Sequence, residues 1–218
     1  MLRDNSQLLD FIRDRIGEFD LIEPRRKQTL GLISELILPA ALAGRNISFL
    51  FVCSDNSVRT QFCHIWIKAA AQYYGIQNLK FFSGGVSVKG IPQPLINTLK
   101  SAGFKVKSLT NSSNPHYAIK ISREQNLGVF YSKYINVKEN PKENFCAIIT
   151  CQDVERELNL NMRTHLKVTI PYASPESILG AEEEQEEYNV LAKKIAREML
   201  YIMSTAHEIL LETLDEEE

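Results

Sequence analysis

The junction at residue 53 constrains this chain more than any other stretch. Ile47 to Val52, ISFLFV, is an unbroken apolar run. A short run with no polar alternation predicts a strand buried on both faces, as in parallel sheets covered by helices. Cys53-Ser-Asp-Asn-Ser-Val-Arg59-Thr60 follows at once, and Gln61 to Tyr74 then reads as a helix stopped by Gly75. In an open parallel sheet, the loop after such a strand stands at the carboxyl edge, where ligands bind. With five residues between Cys53 and Arg59, the loop is short enough to turn its amide N–H groups inward as an anion nest. The helix start near Arg59 and Thr60 adds its positive dipole end.

Downstream, Leu79 to Phe82 reads as a second strand closed by Ser83-Gly84-Gly85, and Pro92 to Ala102 as a helix ended by Gly103. Tyr117 to Ile121 and Leu127 to Tyr131 alternate around a polar turn, predicting a hairpin or sheet edge. Phe145 to Thr150 (FCAIIT) is another continuous strand, Val168 to Ile170 a short one, and Glu182 to about Leu214 a long amphipathic helix. The succession of strands and helices predicts a three-layer α/β fold on a mostly parallel sheet.

Upstream, residues 6–18 set Leu8, Leu9, Ile12 and Ile16 on one helical face, with Ser6 as the expected cap. Pro24 opens a second apolar helix through about Ala43, carrying Leu30, Leu32, Ile33, Leu36 and Ile37, and Gly44 ends it. The expected organisation is therefore an N-terminal helical extension, 1–45, packed on an α/β domain, 46–218.

Composition narrows the function classes. The 218 residues are 44% hydrophobic and 24% charged, an ordinary globular balance. A net charge of -2 leaves no basic surplus for nucleic-acid phosphates. The acidic runs, Glu182 to Glu187 and Asp215 to Glu218, read as solvated helix face and tail. No stretch approaches the ~20 apolar residues of a membrane span, and no basic-then-apolar leader is present. The expectation is a cytoplasmic protein whose four cysteines, Cys53, Cys63, Cys146 and Cys151, are reduced thiols. None lies in a CxxC pair and the four histidines are scattered, so no structural zinc site is expected.

The nest and the helix dipole both favour the thiolate of Cys53, making it a nucleophile at neutral pH. Arg59 would clamp two oxygens of a bound anion with its planar fork. Thr60 is placed to donate its hydroxyl to the Cys53 sulfur. Ser54, Asp55, Asn56, Ser57, Val58 and Arg59 would form the oxyanion cup, with Asn56 and Ser57 holding its turns by side-chain bonds to backbone.

Val52-Cys53-x-x-Asn56-Ser57-x-Arg59-Thr60-Gln61 resembles the low-molecular-weight protein tyrosine phosphatases and the arsenate reductases that share their fold; the wording Asn-Ser-x-Arg-Thr-Gln is closer to the latter. Ser83-Gly84-Gly85, the Thr150-Cys151 pair ending a strand and the acidic start of the last helix fit too. The resemblance covers about residues 46–204, and the added helices resemble those of longer bacterial arsenate-reductase-like members. It implies a four-stranded parallel sheet flanked by helices, no cofactor, and a covalent intermediate on Cys53.

Three departures bear on activity. Where the family has an Asp before a Pro to protonate the leaving group, this chain has Ser174-Pro175. A hydroxyl is no substitute for a carboxylic acid, a loss on the order of 10²–10⁴ in rate; Glu176 and Asp153 are the nearest replacements. Thioredoxin-linked arsenate reductases need two further cysteines seven apart; Cys151 matches the first, but Leu158 stands at the second. Cys63 and Cys146 remain as stand-ins, although their surroundings suggest core. Asp55 puts a carboxylate beside the anion site, opposing a dianion and the thiolate alike.

Tyr117, Tyr131, Tyr134 and Tyr172 are candidates for lining a phosphotyrosine cleft or for packing, His64 for a buried or surface residue, and Trp66 for a core anchor. Three readings stay open: a cysteine-dependent phosphatase acting on phosphotyrosine or a small aryl phosphate; an arsenate reductase using Cys53 with Cys151, drawing electrons from thioredoxin; and a non-catalytic sensor of phosphate, arsenate or a phosphoprotein.

Overall fold

β1 (Ile47–Cys53) pairs in parallel with β2 (Leu79–Gly85) on one side and β6 (Glu143–Ile149) on the other; β7 (Arg163–Thr169) completes the sheet, in the order β2–β1–β6–β7. The fold is that of a computed structural model describing residues 5–42, 44–152, 154, 163–175 and 181–215. β1 alternates between two apolar environments. Phe49 and Phe51 enter the larger core, while Leu50, Val52 and Cys53 join Phe145, Ala147, Cys151 and Val154 on the opposite face. This burial on both faces is why the run shows no polar alternation.

α3 (Arg59–Tyr74) returns the chain from β1 to β2 and ends on Gly75, whose φ of 72° only glycine adopts without cost. α4 (Gln93–Ser101) follows β2. α5 (Ala181–Asp215) is the long final helix, packed against α3. Glu182, Glu183 and Glu184 stand in its first turn, where negative charge meets the positive dipole end.

The N-terminal helices α1 (Ser6–Ile16) and α2 (Pro24–Leu42) both lie against α5. Leu8, Ile12, Ile22, Leu30, Ile33 and Ile37 belong to the same core as α3 and α5. Trp66 is indeed a core anchor: Phe11 of α1 stacks on it at 5.0 Å and Phe104 meets it edge-on at 4.9 Å. The cap of α1 is Asn5, not the expected Ser6. Asn5 Oδ1 accepts the Leu8 N–H at 3.2 Å, and its Nδ2 donates to the carbonyls of Gly103 and Ile121. The cap thus also ties α1 to the end of α4 and to the hairpin region.

The expected hairpin is present, as β4 (Tyr117–Lys120) and β5 (Asn126–Phe130). β3 (Lys105–Ser108) adds an antiparallel edge strand to it. Lys105, Lys107 and Ser108 are all exposed, so this edge carries no apolar signature to read from sequence. Ser83-Gly84-Gly85, expected to close β2, instead continues it. The glycines serve close approach: a Cβ on Gly84 would lie 2.6 Å from Ile135 Cα, and one on Gly85 2.8 Å from Asn56 N.

Candidate active site

The chain leaves β1 towards β2 and later returns to the other side of β1 as β6, so the carboxyl ends of β1 and β6 flank the point where the strand order reverses. In open α/β sheets that is where a crevice forms. Cys53 ends β1, and Cys151 follows the end of β6. Thr150, between them, donates its backbone N–H and hydroxyl to the Val52 carbonyl at 2.9 and 3.1 Å. Strand pairing therefore brings together two cysteines about a hundred residues apart in the chain.

The loop that was expected to form the cup turns tightly and is held from several directions. Asn56 takes φ 53°, a left-handed conformation that asparagine tolerates better than most residues. It is fully buried; its Nδ2 donates to the Lys133 carbonyl at 3.2 Å, and its Oδ1 accepts from Thr60 Oγ1 at 2.8 Å and Gln61 Nε2 at 3.1 Å. Gln61 Nε2 also reaches the carbonyls of Asn56 and Tyr131, each at 3.0 Å. Ser132 Oγ donates to the Asp55 carbonyl at 2.8 Å, and the Ser87 N–H donates to the Ser54 carbonyl at 2.8 Å. Residues 131–133, which leave the hairpin, thus brace the cup from outside. Val58 is buried and accepts the Phe62 N–H at 2.9 Å, setting the start of α3.

Two expectations change. The Thr60 hydroxyl donates to Asn56 Oδ1 at 2.8 Å, so its hydrogen goes to the loop and not to the sulfur. Asp55 turns its carboxylate back on the loop, accepting the Ser57 N–H at 3.1 Å. The carboxylate thus holds the turn at Ser57.

The sulfur's own partners are Cys151, Arg59, Ser54 and Thr150. Ser54 Oγ lies 3.7 Å from Cys53 Sγ and accepts from Arg59 Nη2 at 3.4 Å. With Arg59 donating to it, Ser54 turns its own hydrogen to the thiolate. The Cys53 pKa is lowered to about 6, first by the Cys151 thiol donating to the thiolate; burial opposes this, and the Arg59 charge, Ser54 and Thr150 assist it. The Cys151 thiol is correspondingly pushed well up, chiefly because it gives its proton to Cys53. The pair therefore shares one proton, held on Cys151. Burial pushes Cys146 up to about 12 and Cys63 well above the ordinary thiol value. Those two are protonated core residues, and Cys53 is the cysteine whose thiolate the surroundings favour.

Arg59 Nη1 donates to the Tyr172 carbonyl at 3.4 Å. Arg59, Gln152, Pro171, Tyr172, Ala173 and Ser174 line a cleft of about 440 Å³. Ser174 thus lines the same cleft as Arg59, and among the described residues this cleft lining holds no carboxylate. Asp153, Leu158 and Glu176 lie outside the described residues. The four tyrosines do not gather into one cleft. Tyr117 and Tyr172 are buried, Tyr131 stacks on His116 at 4.1 Å, and Tyr134 is exposed. His64 is buried on α3 beside Ser83 Oγ at 3.3 Å, and burial holds its pKa well below the usual value. It is a neutral core group. Gln61, Ser132 and Ser87 escaped the sequence reading as braces of the cup, because a polar side chain's partner leaves no mark in local pattern.

No family model and no curated protein matches this chain. Solved structures that resemble it include low-molecular-weight protein tyrosine phosphatases. One from T. tengcongensis is 14% identical, with 73% of this chain and 99% of that one covered and a TM-score of 0.47. One from Bacillus subtilis is 11% identical, covering 73% and 96%, with a TM-score of 0.49. One from Vibrio cholerae O395 is 12% identical, covering 79% and 99%, with a TM-score of 0.44. The likeness concerns the chain path alone, and the functional reading rests on the cup itself. Among the described residues no helix is long and apolar enough to cross a membrane, and no cluster of His, Cys, Asp and Glu could hold a metal.

Proposed function

We propose that this chain is a cysteine-dependent phosphomonoester hydrolase. The observation that carries the reading is Cys53 at the end of β1, its thiolate favoured by the Cys151 thiol and the Arg59 charge, with Arg59 bonded to Ser54 and lining the open cleft. A phosphate ester entering the cup takes over the two Arg59 donors, whose present contacts to Ser54 and Tyr172 are long. The Cys53 thiolate attacks phosphorus, forming an S–P bond as the P–O bond to the leaving group breaks. Arg59 and the loop amides gather the charge developing on the equatorial oxygens. Water then attacks the phosphocysteine, releasing phosphate and regenerating the thiolate. No acid stands at Ser174, so the leaving oxygen departs as an anion or takes its proton from water. Activated aryl phosphates are the substrates this site handles best.

Purified protein assayed on nitrophenyl phosphate tests the reading. The expected result is turnover that Cys53→Ser abolishes and Arg59→Met reduces by about 10² or more. No turnover in the wild type refutes it. The Cys53–Cys151 pair favours one second reading, arsenate reduction. Cys53 would attack arsenate, forming an S–As bond as an As–O bond breaks and the oxygen leaves as water. Cys151 would then attack the Cys53 sulfur, forming the disulfide as the S–As electron pair passes to arsenic and arsenite leaves, and thioredoxin or glutathione would reduce the disulfide. Arsenate-dependent consumption of the reductant, lost in Cys151→Ala, would establish this instead. Binding of oxyanions without either activity would leave a sensor.

A further inference from the structure

The N-terminal helices reach the active site through a buried charge. Glu198 of α5 is 2% exposed and accepts three hydrogen bonds: from Arg26 Nε at 3.0 Å, Arg26 Nη2 at 2.7 Å and Tyr172 Oη at 2.6 Å. The Arg26 guanidinium also sits over the Tyr172 ring, 4.9 Å from its centroid. Arg26 belongs to α2, and Tyr172 to the segment between β7 and α5 that forms the wall of the cleft. Tyr172 is held at its other end too: its N–H donates to the Thr150 carbonyl at 3.1 Å, and its carbonyl accepts from Arg59 Nη1 at 3.4 Å.

From this continuous path we infer that Arg26 is a positioning residue for Arg59, acting through Glu198 and Tyr172, so that the N-terminal helices form part of the catalytic scaffold. The inference rests on the phosphatase reading of the cup. Leaving a carboxylate this deeply buried without its donors is costly, so the three groups hold one arrangement together. The Tyr172 ring is clamped between Glu198 and the Arg26 guanidinium, which fixes the direction of the Tyr172 carbonyl and with it the resting place of Arg59. Close packing does not do this alone: behind Pro171 lies a cavity of about 330 Å³ that Arg26, Arg197 and Glu198 also line. Ser174, two residues beyond Tyr172, shares the same anchor. Arg59 acts most strongly on transition-state charge, so a misplaced Arg59 lowers kcat more than it raises KM.

Three variants test this. Arg26→Lys keeps the charge but loses the fork and the flat stacking surface. Tyr172→Phe removes one bond to Glu198 and leaves the Arg26–Glu198 pair intact, so it decides the matter should Arg26→Lys fail to fold. Ser34→Ala is the control, because Ser34 Oγ donates to the Ile202 carbonyl at 2.9 Å in the same α2–α5 contact without touching the path. The readouts are kcat and KM on nitrophenyl phosphate, Kd for tungstate (a tetrahedral oxyanion that cannot be hydrolysed), and melting temperature. The expected result is kcat down about tenfold with KM nearly unchanged, and tungstate binding weakened several-fold, in Arg26→Lys and Tyr172→Phe. Ser34→Ala should lower only the melting temperature. The inference is overturned if the first two variants behave like Ser34→Ala, or if the wild type binds no tungstate. A wild type that binds tungstate without hydrolysing the ester refutes the phosphatase reading alone, and the tungstate comparison still decides the role of Arg26.

Discussion

Replacing Cys151 by alanine removes the thiol that donates to the Cys53 thiolate, the leading cause of the lowered Cys53 pKa. The displacement from 9.0 to about 6 favours the thiolate by about 4 kcal/mol. A hydrogen bond to a charged group contributes about 1.5–3 kcal/mol of this, equivalent to about one to two pH units. Arg59, Ser54 and Thr150 supply the rest against the opposing cost of burial. Cys151→Ala should therefore raise the midpoint of Cys53 alkylation by about one to two pH units. The acid limb of phosphatase activity should move up with it, because Cys53 below its pKa is a thiol and does not attack. Cys151→Ser keeps a hydroxyl donor and should hold the midpoint close to that of the wild type. Alkylation by iodoacetamide as a function of pH, with peptide mapping to Cys53, reads the midpoint directly. The same linkage appears in stability. A folded pKa below the unfolded one stabilises the fold fully only above the ordinary thiol value of 9.0, and that contribution is lost as pH falls through about 6. A wild-type midpoint near 9, or a midpoint unmoved in Cys151→Ala, would refute the proton-sharing account.

Ser174→Asp restores a carboxylic acid to the cleft wall; hydrolysis of an alkyl phosphate should rise by about one to two orders of magnitude while nitrophenyl phosphate changes little, and equal effects on both would show that another group donates the proton. Gly85→Ala places a Cβ 2.6 Å from the Ser87 carbonyl oxygen and 2.8 Å from Asn56 N, all backbone that must shift; tungstate affinity should fall at least tenfold, and an unchanged affinity would mean the cup tolerates displacement. Asn56→Ala removes the acceptor shared by Thr60 and Gln61 and the donor to Lys133, with a left-handed φ left behind; calorimetry should find a loss of about 2–4 kcal/mol in stability.

What the sequence determined by itself is the strand, the five-residue loop and the helix around Cys53 and Arg59. Their signals are local: an apolar run too short for a helix, a loop with no slack, and a glycine where φ must be positive. The α/β class, the hairpin at 117–130 and the two N-terminal helices were legible for the same reason. Partnership was not. Local pattern pairs no cysteines; the family resemblance matched Cys151, and the parallel pairing of β1 with β6 is what sets it against Cys53 while Cys63 and Cys146 stay in the core. The sequence aimed the Thr60 hydroxyl at the sulfur, and in the fold it donates to the buried side-chain carbonyl of Asn56. Ser83-Gly84-Gly85 spelled a turn but served as a strand under tight backbone approach, because the neighbouring chain at Asn56 and Ile135 comes from elsewhere in the sequence. Arg26, Glu198 and Tyr172 lie on three separate elements, the first 172 positions from the second. Each residue carries its own propensity, but which donor meets which acceptor is settled by competition in three dimensions, and only the packed chain resolves it.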